Sequence, residues 1–397
     1  MHLVEVGTNS AHQQEFIQFP VRLYHDDPCW IRPLDADLES VFDPKKNKLF
    51  EQGECVRWLL LDEQNQTIGR VSAFINQKTV VTRNDQPTGG MGFFECVYDQ
   101  KAAYMLFDAC KNWLAERGME AMDGPINFGD RDRWWGLLVE GFDHEPNYGM
   151  PYTKPYYVLF FENYGFRDYF QQHTVAAPIE KDRLMLGMNP TVLERANRIM
   201  NDPAYSFEHI RKNQLPKFAG DFAEIYTKAW AKILGTPDMS PDKALKLMKQ
   251  MKPVMDEQLI WFGYHGSEKK PIAFFIMLPE LNQYFKHVNG KMNWLGKIKF
   301  LYYKTFKPTH KAFGLIFGVV PDFQGKGVES AIAMSYPTRV GWSASHPYKD
   351  LELNWIGDFN VKMIRFSKML GGVVSKRHIT YRYLFDRTKE FKRHPII

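Results

Sequence analysis

The chain has 397 residues, which is too long for one comfortable hydrophobic core and predicts two domains. Its composition, with 44% hydrophobic, 15% aromatic and 24% charged residues, excludes a disordered or collagen-like protein. The net charge of +5 is unevenly distributed, because acidic residues exceed basic ones in residues 1–180 and the reverse holds in residues 181–397. This asymmetry indicates two units with different roles, units that attract each other, or a simple drift of surface charge between domains.

The sequence carries no signal for secretion, a membrane span or a metal site. Its first ten residues lack the basic stretch and apolar run of a secretory signal, and the strongest apolar runs, 271–279 and 312–321, are shorter than the ~20 residues of a membrane-spanning helix. The four cysteines lack CxxC or CxxxC spacing, so we expect buried, reduced thiols and a cytoplasmic protein without a bound metal. These cysteines are Cys29, Cys55, Cys96 and Cys110.

The first half of the chain predicts a mixture of strands and helices around one long irregular segment. Asp99 is placed to cap a helix whose apolar residues recur at helical spacing, and Gly118 is placed to end it. Residues 127–155 have no clear period, and loops of that length are unusual unless they bind something. The other predicted elements are a hairpin over 57–76, strands over 89–97, 119–126 and 166–179, and a helix over 156–164.

The second half repeats this order. A linking helix over 191–201 leads into it, and the repeat predicts two α+β units of similar fold, which we place at residues 1–184 and 185–397. The predicted strands are 206–211, the hairpin 259–278, 311–320, 351–356 and 373–385, and the predicted helices are 215–233, 244–251, one from Glu329 onward, and 360–370 ending at Gly371.

A lysine-rich segment is inserted between the second hairpin and the next strand. Residues 286–311 contain seven lysines and no acidic residue, with Trp, Tyr and Phe interleaved. This pattern fits peripheral contact with an anionic membrane surface. A nucleic-acid backbone would satisfy it too, although we do not expect nucleic acid as the partner. A solvated loop with inward-packed aromatic residues is the third interpretation.

One predicted turn has the composition of an anion-binding site. Residues 324–327, Gln-Gly-Lys-Gly, lie between a buried strand that ends at Val319 and a helix. Such a turn exposes backbone N–H groups at the positive end of a helix, and glycine lets an anion approach the main chain. The turn therefore suits a phosphate or pyrophosphate. The Walker and dinucleotide-binding patterns are absent, and as a bare pattern GxG is more often only a turn.

The context of this turn resembles the acyl-CoA-binding signature V-x-P-x-x-[Q/R]-x-x-G-x-[G/A] of the GNAT (GCN5-related N-acetyltransferase) superfamily. It matches at Val319, Pro321, Gln324 and Gly327. The first half resembles a degenerate copy without the glycine turn. The pattern E-L-x-W-x-x-x-x-N, with a later Gly-Gly, Lys and Tyr, is similar to paired-GNAT bacterial proteins of the ceramide synthase-like group. Its residues are Glu352, Leu353, Trp355, Asn360, Lys376 and Tyr381.

The resemblance implies a mixed central sheet flanked by helices in each of two tandem GNAT-like folds, with acyl-CoA as co-substrate and no metal. It implies Glu352 as the base, with Asp358 or His310 less favoured, and Tyr381 or Tyr383 as the proton donor. A main-chain N–H near the end of the central strand would stabilise the thioester oxyanion. The residues implied in CoA binding are Val319, Gln324, Gly325, Lys326, Gly327, Val328 and Asn360.

Two positions depart from the family pattern. Glu329 stands where the signature has Gly or Ala, and its charge would repel a pyrophosphate. Ser367 stands where the family often has a general-acid Tyr. The first interpretation of the chain is an acyl-CoA-dependent N-acyltransferase for a small-molecule or lipid-like amine, such as a sphingoid base. The alternatives are a Fem-like aminoacyl transferase that uses charged tRNA, and a non-catalytic scaffold.

Overall fold

The structure is a computed structural model that describes residues 1–81, 84–230, 239–343 and 346–396. The first half begins with a short strand and two helices that the sequence did not predict. It then follows the expected order, except that a short strand forms within segment 127–155, where the sequence predicted no regular element. Its strands are β1 (His2–Glu5), β2 (Gly53–Leu61), β3 (Thr67–Asn76), β4 (Thr88–Cys96), β5 (Ala121–Gly124), β6 (Leu137–Glu140) and β7 (Arg167–Pro178). Its helices are α1 (Ser10–Leu23), α2 (Asp35–Phe42), α3 (Gln100–Ala115) and α4 (Tyr157–Tyr164).

The second half begins after two linking helices, of which the sequence predicted only the second. The helices are α5 (Lys181–Gly187), α6 (Pro190–Met200), α7 (Leu215–Trp230), α8 (Pro241–Met251), α9 (Asn282–Phe285), α10 (Trp294–Phe306), α11 (Val328–Tyr336) and α12 (Val361–Met369). The strands are β8 (Tyr205–His209), β9 (Ile260–His265), β10 (Lys270–Pro279), β11 (Lys311–Val319), β12 (Asp350–Gly357) and β13 (Val373–Leu384). The last residues of the helix predicted over 215–233 lie outside the described residues.

The 13 strands of the described residues form one mixed sheet in the order β1-β2-β3-β4-β5-β13-β7-β12-β11-β10-β9-β8, with β6 paired to β13. The pairs β4–β5 and β11–β12 are parallel, and the other pairs are antiparallel. The C-terminal strand β13 lies between β5 and β7, so it completes the sheet of the first half. The boundary that we placed between residues 184 and 185 stays a prediction.

Each half has its own core. The largest cluster in the first half packs α3 and α4 on strands β3 and β4, with Phe107 and Phe161 fully buried. In the second half, α11 packs against one face of the sheet through Val328 and Ile332, and α7 packs against the other through Phe218. Because helices cover both faces of the mixed sheet, a binding site is expected at the ends of its strands.

Local sequence explains why most elements begin and end where predicted. The Asp99 carboxylate accepts hydrogen bonds from Lys101 N at 2.8 Å and Ala102 N at 3.1 Å, so it caps α3 as expected. Gly165 ends α4 with φ of +108°, a conformation that glycine adopts without strain. The expectation of four buried thiols is half right, because Cys96 and Cys110 are buried whereas Cys29 and Cys55 are partly exposed.

Candidate active site

The parallel strands β11 and β12 separate partway along their length. Their pairing is confined to Lys311–Gly314 with Asp350–Leu353, although β11 continues to Val319 and β12 to Gly357. A register shift in the pairing of β10 with β11 leaves Leu315 as an extra residue at the point where the separation begins. Such a bulge bends its strand and re-aims the side chains beyond it. The two strands therefore open a cleft that leads toward the glycine turn.

The glycine turn lies at the start of α11, as the sequence predicted. Gly325 and Gly327 have φ of +72° and +101°, a backbone conformation that residues with a side chain rarely adopt. The Gln324 side chain donates a hydrogen bond to the carbonyl of Val319 at 2.9 Å and so ties the turn to the end of β11. Val328 is fully buried beneath the turn. Gly327 is the N-cap of α11, and no side chain of this residue caps the first N–H groups of the helix, which are the groups that bind anions at helix N-termini.

Charges of both signs surround this turn. The Glu329 carboxylate accepts a hydrogen bond from Gly325 N–H at 2.7 Å, so the protein's own anion contacts the main chain of the turn. The exposed guanidinium of Arg198, on α6, donates to the carbonyl of Lys326 at 3.0 Å. A Cβ at Gly327 would lie 3.4 Å from Cβ of Arg195. Two arginines and Lys326 thus form a basic rim that favours a larger anion.

An apolar pocket of about 550 Å³, which includes space open to solvent, lies on the α11 and α12 face of the separated strands. Phe317 of β11 and Leu351 and Leu353 of β12 form its base. Its walls come from the two helices and neighbouring strands, including Met334, Tyr336, Met363, Phe366, Phe275 and Met277. A pocket of this composition suits an aliphatic chain.

On the opposite face of β12, Glu352 lies in a buried charged cluster. Its carboxylate contacts Lys376 Nζ at 2.8 Å and Lys311 Nζ at 3.2 Å, and the residue is 4% exposed. Glu352 is therefore a buried residue and not an exposed residue of the strand. Burial raises the pKa of Glu352, but the two lysine charges outweigh it and hold that pKa below the usual value. Burial lowers the pKa of Lys376 despite its carboxylate partner.

The long segment 127–155 closes this cluster from the first half. Glu280, 1% exposed, accepts a hydrogen bond from Tyr148 N at 2.7 Å, and burial raises its pKa. Asn147 is 1% exposed and lies near enough to Glu352 to lower its pKa, but neither of its amide atoms reaches a described hydrogen-bond partner. A buried amide beside a carboxylate is a polar position that a substrate group could contact.

The structure separates the two residues that the sequence named as catalytic. Tyr381 donates a hydrogen bond to Glu162 at 3.1 Å and packs on Phe161 with ring centroids 5.5 Å apart, so its contacts are in the first half. Tyr383 also packs in the first half, against Tyr164 at 4.9 Å. These positions do not bring either tyrosine to Glu352, because strand β13 carries Lys376, not Tyr381, to the Glu352 carboxylate.

The remaining candidates have structural partners. Asn360 caps α12 by accepting from Met363 N at 3.1 Å, and the Ser367 hydroxyl donates to the carbonyl of Ile364 at 2.9 Å. Asp358 pairs with Arg393 at 2.6 Å. A ring nitrogen of His310, an exposed residue, lies 3.0 Å from the carbonyl of Pro347. Their proposed roles stay predictions.

Sequence reasoning missed Glu280, Lys311 and Asn147. The length of segment 127–155 was a general signal that it binds something, but no local pattern marked Asn147 within it. Lys311 was counted only as part of the lysine-rich segment, whereas the structure places its side chain against Glu352. Among the described residues, no group of three or more His, Cys, Asp or Glu side chains is arranged to hold a metal ion.

Comparison with solved structures identifies the fold. A tandem GNAT protein from the clavulanic acid biosynthesis pathway matches with a TM-score of 0.52 at 9% identity, over 98% of this chain and 99% of that one. A GCN5-related glucosamine N-acetyltransferase region in a fungal multi-domain β-N-acetylglucosaminidase matches with a TM-score of 0.53 at 12% identity, over 96% of this chain and 38% of that one. The chain has a tandem GNAT fold, which confirms the predicted α+β class.

Comparison with curated proteins finds two relatives that are similar over nearly their whole length. One, from Caulobacter vibrioides, is named bacterial ceramide synthase and is 26% identical over 373 residues, 94% of each chain. The other, protein YghO of Escherichia coli, is 26% identical over 388 residues, 96% of this chain and 94% of that one. No protein-family model matches the chain. The resemblance to the ceramide synthase-like group is thus confirmed as a distant similarity.

Proposed function

We propose that this tandem GNAT-fold protein transfers an acyl group from acyl-CoA to an amine, with the second half as the acyl-CoA unit. The observation that carries the proposal is the separation of β11 from β12 at the Leu315 bulge, next to the uncapped N-terminus of α11. The N–H groups of that turn would hold the pyrophosphate, and the apolar pocket lined by the C-terminal half of α11 would take the aliphatic part of the acyl-CoA.

In the described part of the first half the two corresponding positions are occupied, which supports the assignment to the second half. At the corresponding helix start, the Asp99 carboxylate already occupies the N–H groups of α3. The parallel pairing of β4 with β5 also ends early, but Ile126 fills the gap: its N–H donates to the carbonyl of Met91 at 2.8 Å. A Cβ at Gly92 would lie 1.7 Å from the Ile126 carbonyl oxygen, so the backbones of β4 and of the segment after β5 are in contact there.

The proposed reaction uses the two faces of the opening. The amine nitrogen bonds to the thioester carbonyl carbon, the carbon–sulfur bond breaks, and the thiolate leaves with a proton. Because side chains alternate along β12, Leu351 and Leu353 line the apolar pocket while Glu352 lies on the other face with the buried lysines. The amine would therefore approach from the Glu352 face. We propose Glu352 as the group that takes the amine proton, although Lys376 and Lys311 stabilise its carboxylate form and so weaken it as a base.

The acceptor is proposed to be lipid-like, such as a sphingoid base, on the similarity to a protein named bacterial ceramide synthase. The test is to incubate the protein with acetyl-CoA or long-chain acyl-CoA and a panel of amines, and to measure thiol release and the N-acyl product by mass spectrometry. Thiol release that depends on a long-chain amine is expected. Transfer only from charged tRNA would favour the aminoacyl transferase, and no transfer from either donor would favour the scaffold.

A further inference from the structure

Helix α10 presents an unpartnered apolar face to solvent. It belongs to the segment inserted between β10 and β11, where it packs inward through Phe300, whose ring centroid lies 5.5 Å from that of Phe285. Six large apolar side chains on the same helix are at least half exposed. They are Trp294 (68%), Leu295 (50%), Ile298 (57%), Leu301 (58%), Tyr302 (51%) and Phe306 (67%).

These exposed side chains form one stripe. Positions 294, 298, 301, 302 and 306 follow the spacing of a single helical face, so the exposure is not scattered. Single exposed apolar residues are normal on protein surfaces, but a contiguous apolar stripe on one helix marks an interaction site. The stripe faces away from the cluster formed by Phe300, Tyr284 and Phe285.

The charged residues of the segment that carries the stripe are all basic. Residues 286–311 hold seven lysines and no acidic residue. Lys286 and Lys311 are engaged, the first with Glu145 at 3.0 Å and the second with Glu352 at 3.2 Å, and Lys304 bonds to the carbonyl of Pro253. The described contacts include no ion pair for the other four, which flank the stripe. They are Lys291, Lys297, Lys299 and Lys307.

We infer that α10 lies in the surface of an anionic lipid bilayer, with its apolar stripe among the acyl chains and its lysines at the headgroups. Its 13 residues, about 20 Å of helix, are fewer than a span needs, so the helix would lie along the surface. Tryptophan and tyrosine at the ends and middle of such a stripe suit the interface between lipid and water. In the described parts of the chain, no helix is long and apolar enough to span a membrane.

The position of α10 at a membrane surface also has a consequence for the proposed reaction, although the membrane inference does not depend on that reaction. Strand β11 starts at Lys311, five residues after α10 ends, and Lys311 contacts Glu352. A bilayer against α10 would therefore lie near the charged cluster. Membrane binding can be measured without acyl-CoA or an acceptor, so its failure and the failure of acyl transfer are distinguishable.

The test is flotation of the full chain with vesicles of phosphatidylcholine alone or of phosphatidylcholine with phosphatidylserine, at low and high salt. We expect flotation with the anionic vesicles that weakens as salt rises. The double variant Ile298→Ser/Leu301→Ser should lower partitioning at least tenfold on every vesicle that binds. The double variant Lys297→Glu/Lys299→Glu should also lower partitioning at least tenfold, but on anionic vesicles only. Each lysine is expected to contribute a factor of roughly five or more.

Two matched controls come from α8, where Leu247 is 41% exposed and Lys246 is exposed. Leu247→Ser and Lys246→Glu should float as the wild type does. All variants are checked by circular dichroism. We expect native spectra, because the replaced side chains are exposed. The inference is overturned if the wild type does not float, if the α10 variants float equally well, if salt-sensitive binding goes to RNA instead of vesicles, or if Ile298→Ser/Leu301→Ser abolishes only a dimer seen by sedimentation.

Discussion

The Glu329 carboxylate occupies the turn where we place the pyrophosphate, so its removal should strengthen acyl-CoA binding. Its oxygen is 2.7 Å from Gly325 N. A phosphate held by the same turn would lie about 5 Å from the carboxylate, and two like charges at that distance repel by about 3 kcal/mol at an effective dielectric near 20. Solvent, salt and the neighbouring Lys326 and Arg198 should reduce this penalty to about 1 kcal/mol. We therefore expect Glu329→Ala to bind acyl-CoA roughly fivefold to tenfold more tightly.

Isothermal titration calorimetry with acetyl-CoA at low and high salt measures this effect. Glu329→Gln removes the charge but keeps a hydrogen-bond acceptor for Gly325 N–H, so it should recover only part of the gain. Glu268→Ala, at an exposed position in the β9–β10 turn, is the matched control and should leave the affinity unchanged. The gain should shrink at high salt. An unchanged or weaker affinity of Glu329→Ala, with the wild type binding normally, would refute the reasoning and indicate that Glu329 turns away from the CoA.

Three further changes test two buried groups and the N-cap of α3. Lys376→Met should destabilise the protein by about 3 kcal/mol because it leaves Glu352 buried with only Lys311, and adding Glu352→Leu should restore much of the loss; urea unfolding of the single and double variants checks this. Burial lowers the pKa of His378 from 6.5 to about 4, so the unfolded chain binds a proton that the folded chain does not. Stability should thus be full above about pH 6.5 and fall toward pH 4, by about 2 kcal/mol near pH 5, and His378→Gln should flatten the dependence of the urea midpoint on pH. Asp99→Ala should cost about 1 kcal/mol of stability in thermal unfolding and leave acyl-CoA affinity unchanged, since we place no CoA in the first half; a tighter affinity would contradict that placement.

Much of the fold followed from local patterns. The hairpin over 57–76, the helix between Asp99 and Gly118, and the glycine turn before α11 depend on caps, turns and alternation that a sequence displays directly. The helical form of the inserted segment did not, because its lysines and aromatic residues fitted a loop or a surface equally well. Helix α10 takes its place through the packing of Phe300 on Phe285, a contact that local periodicity does not reveal.

The candidate site was predictable only in part. The glycine turn and Glu352 were found, because one is contiguous in sequence and the other belongs to a recognisable pattern. The charged cluster was not, because Glu280, Lys311 and Asn147 come from distant segments and meet only through the sheet order. Strand β13 crosses into the sheet of the first half, so it takes Tyr381 away from Glu352 while it delivers Lys376. Residues that are close in sequence on one strand can thus belong to different sites.

The central claim is that the second half binds acyl-CoA at the turn of residues 324–328. Calorimetric titration of the wild type and of Gly327→Trp with acetyl-CoA and a long-chain acyl-CoA tests it most directly. A Cβ at Gly327 already approaches Ile199 and Arg198 within 3.4 Å, and the residue has φ of +101°, so tryptophan would block and distort the turn. We expect saturable binding to the wild type and none to Gly327→Trp, with native circular dichroism in both. Equal binding by the two proteins, or no binding by the wild type at millimolar acyl-CoA, would contradict it.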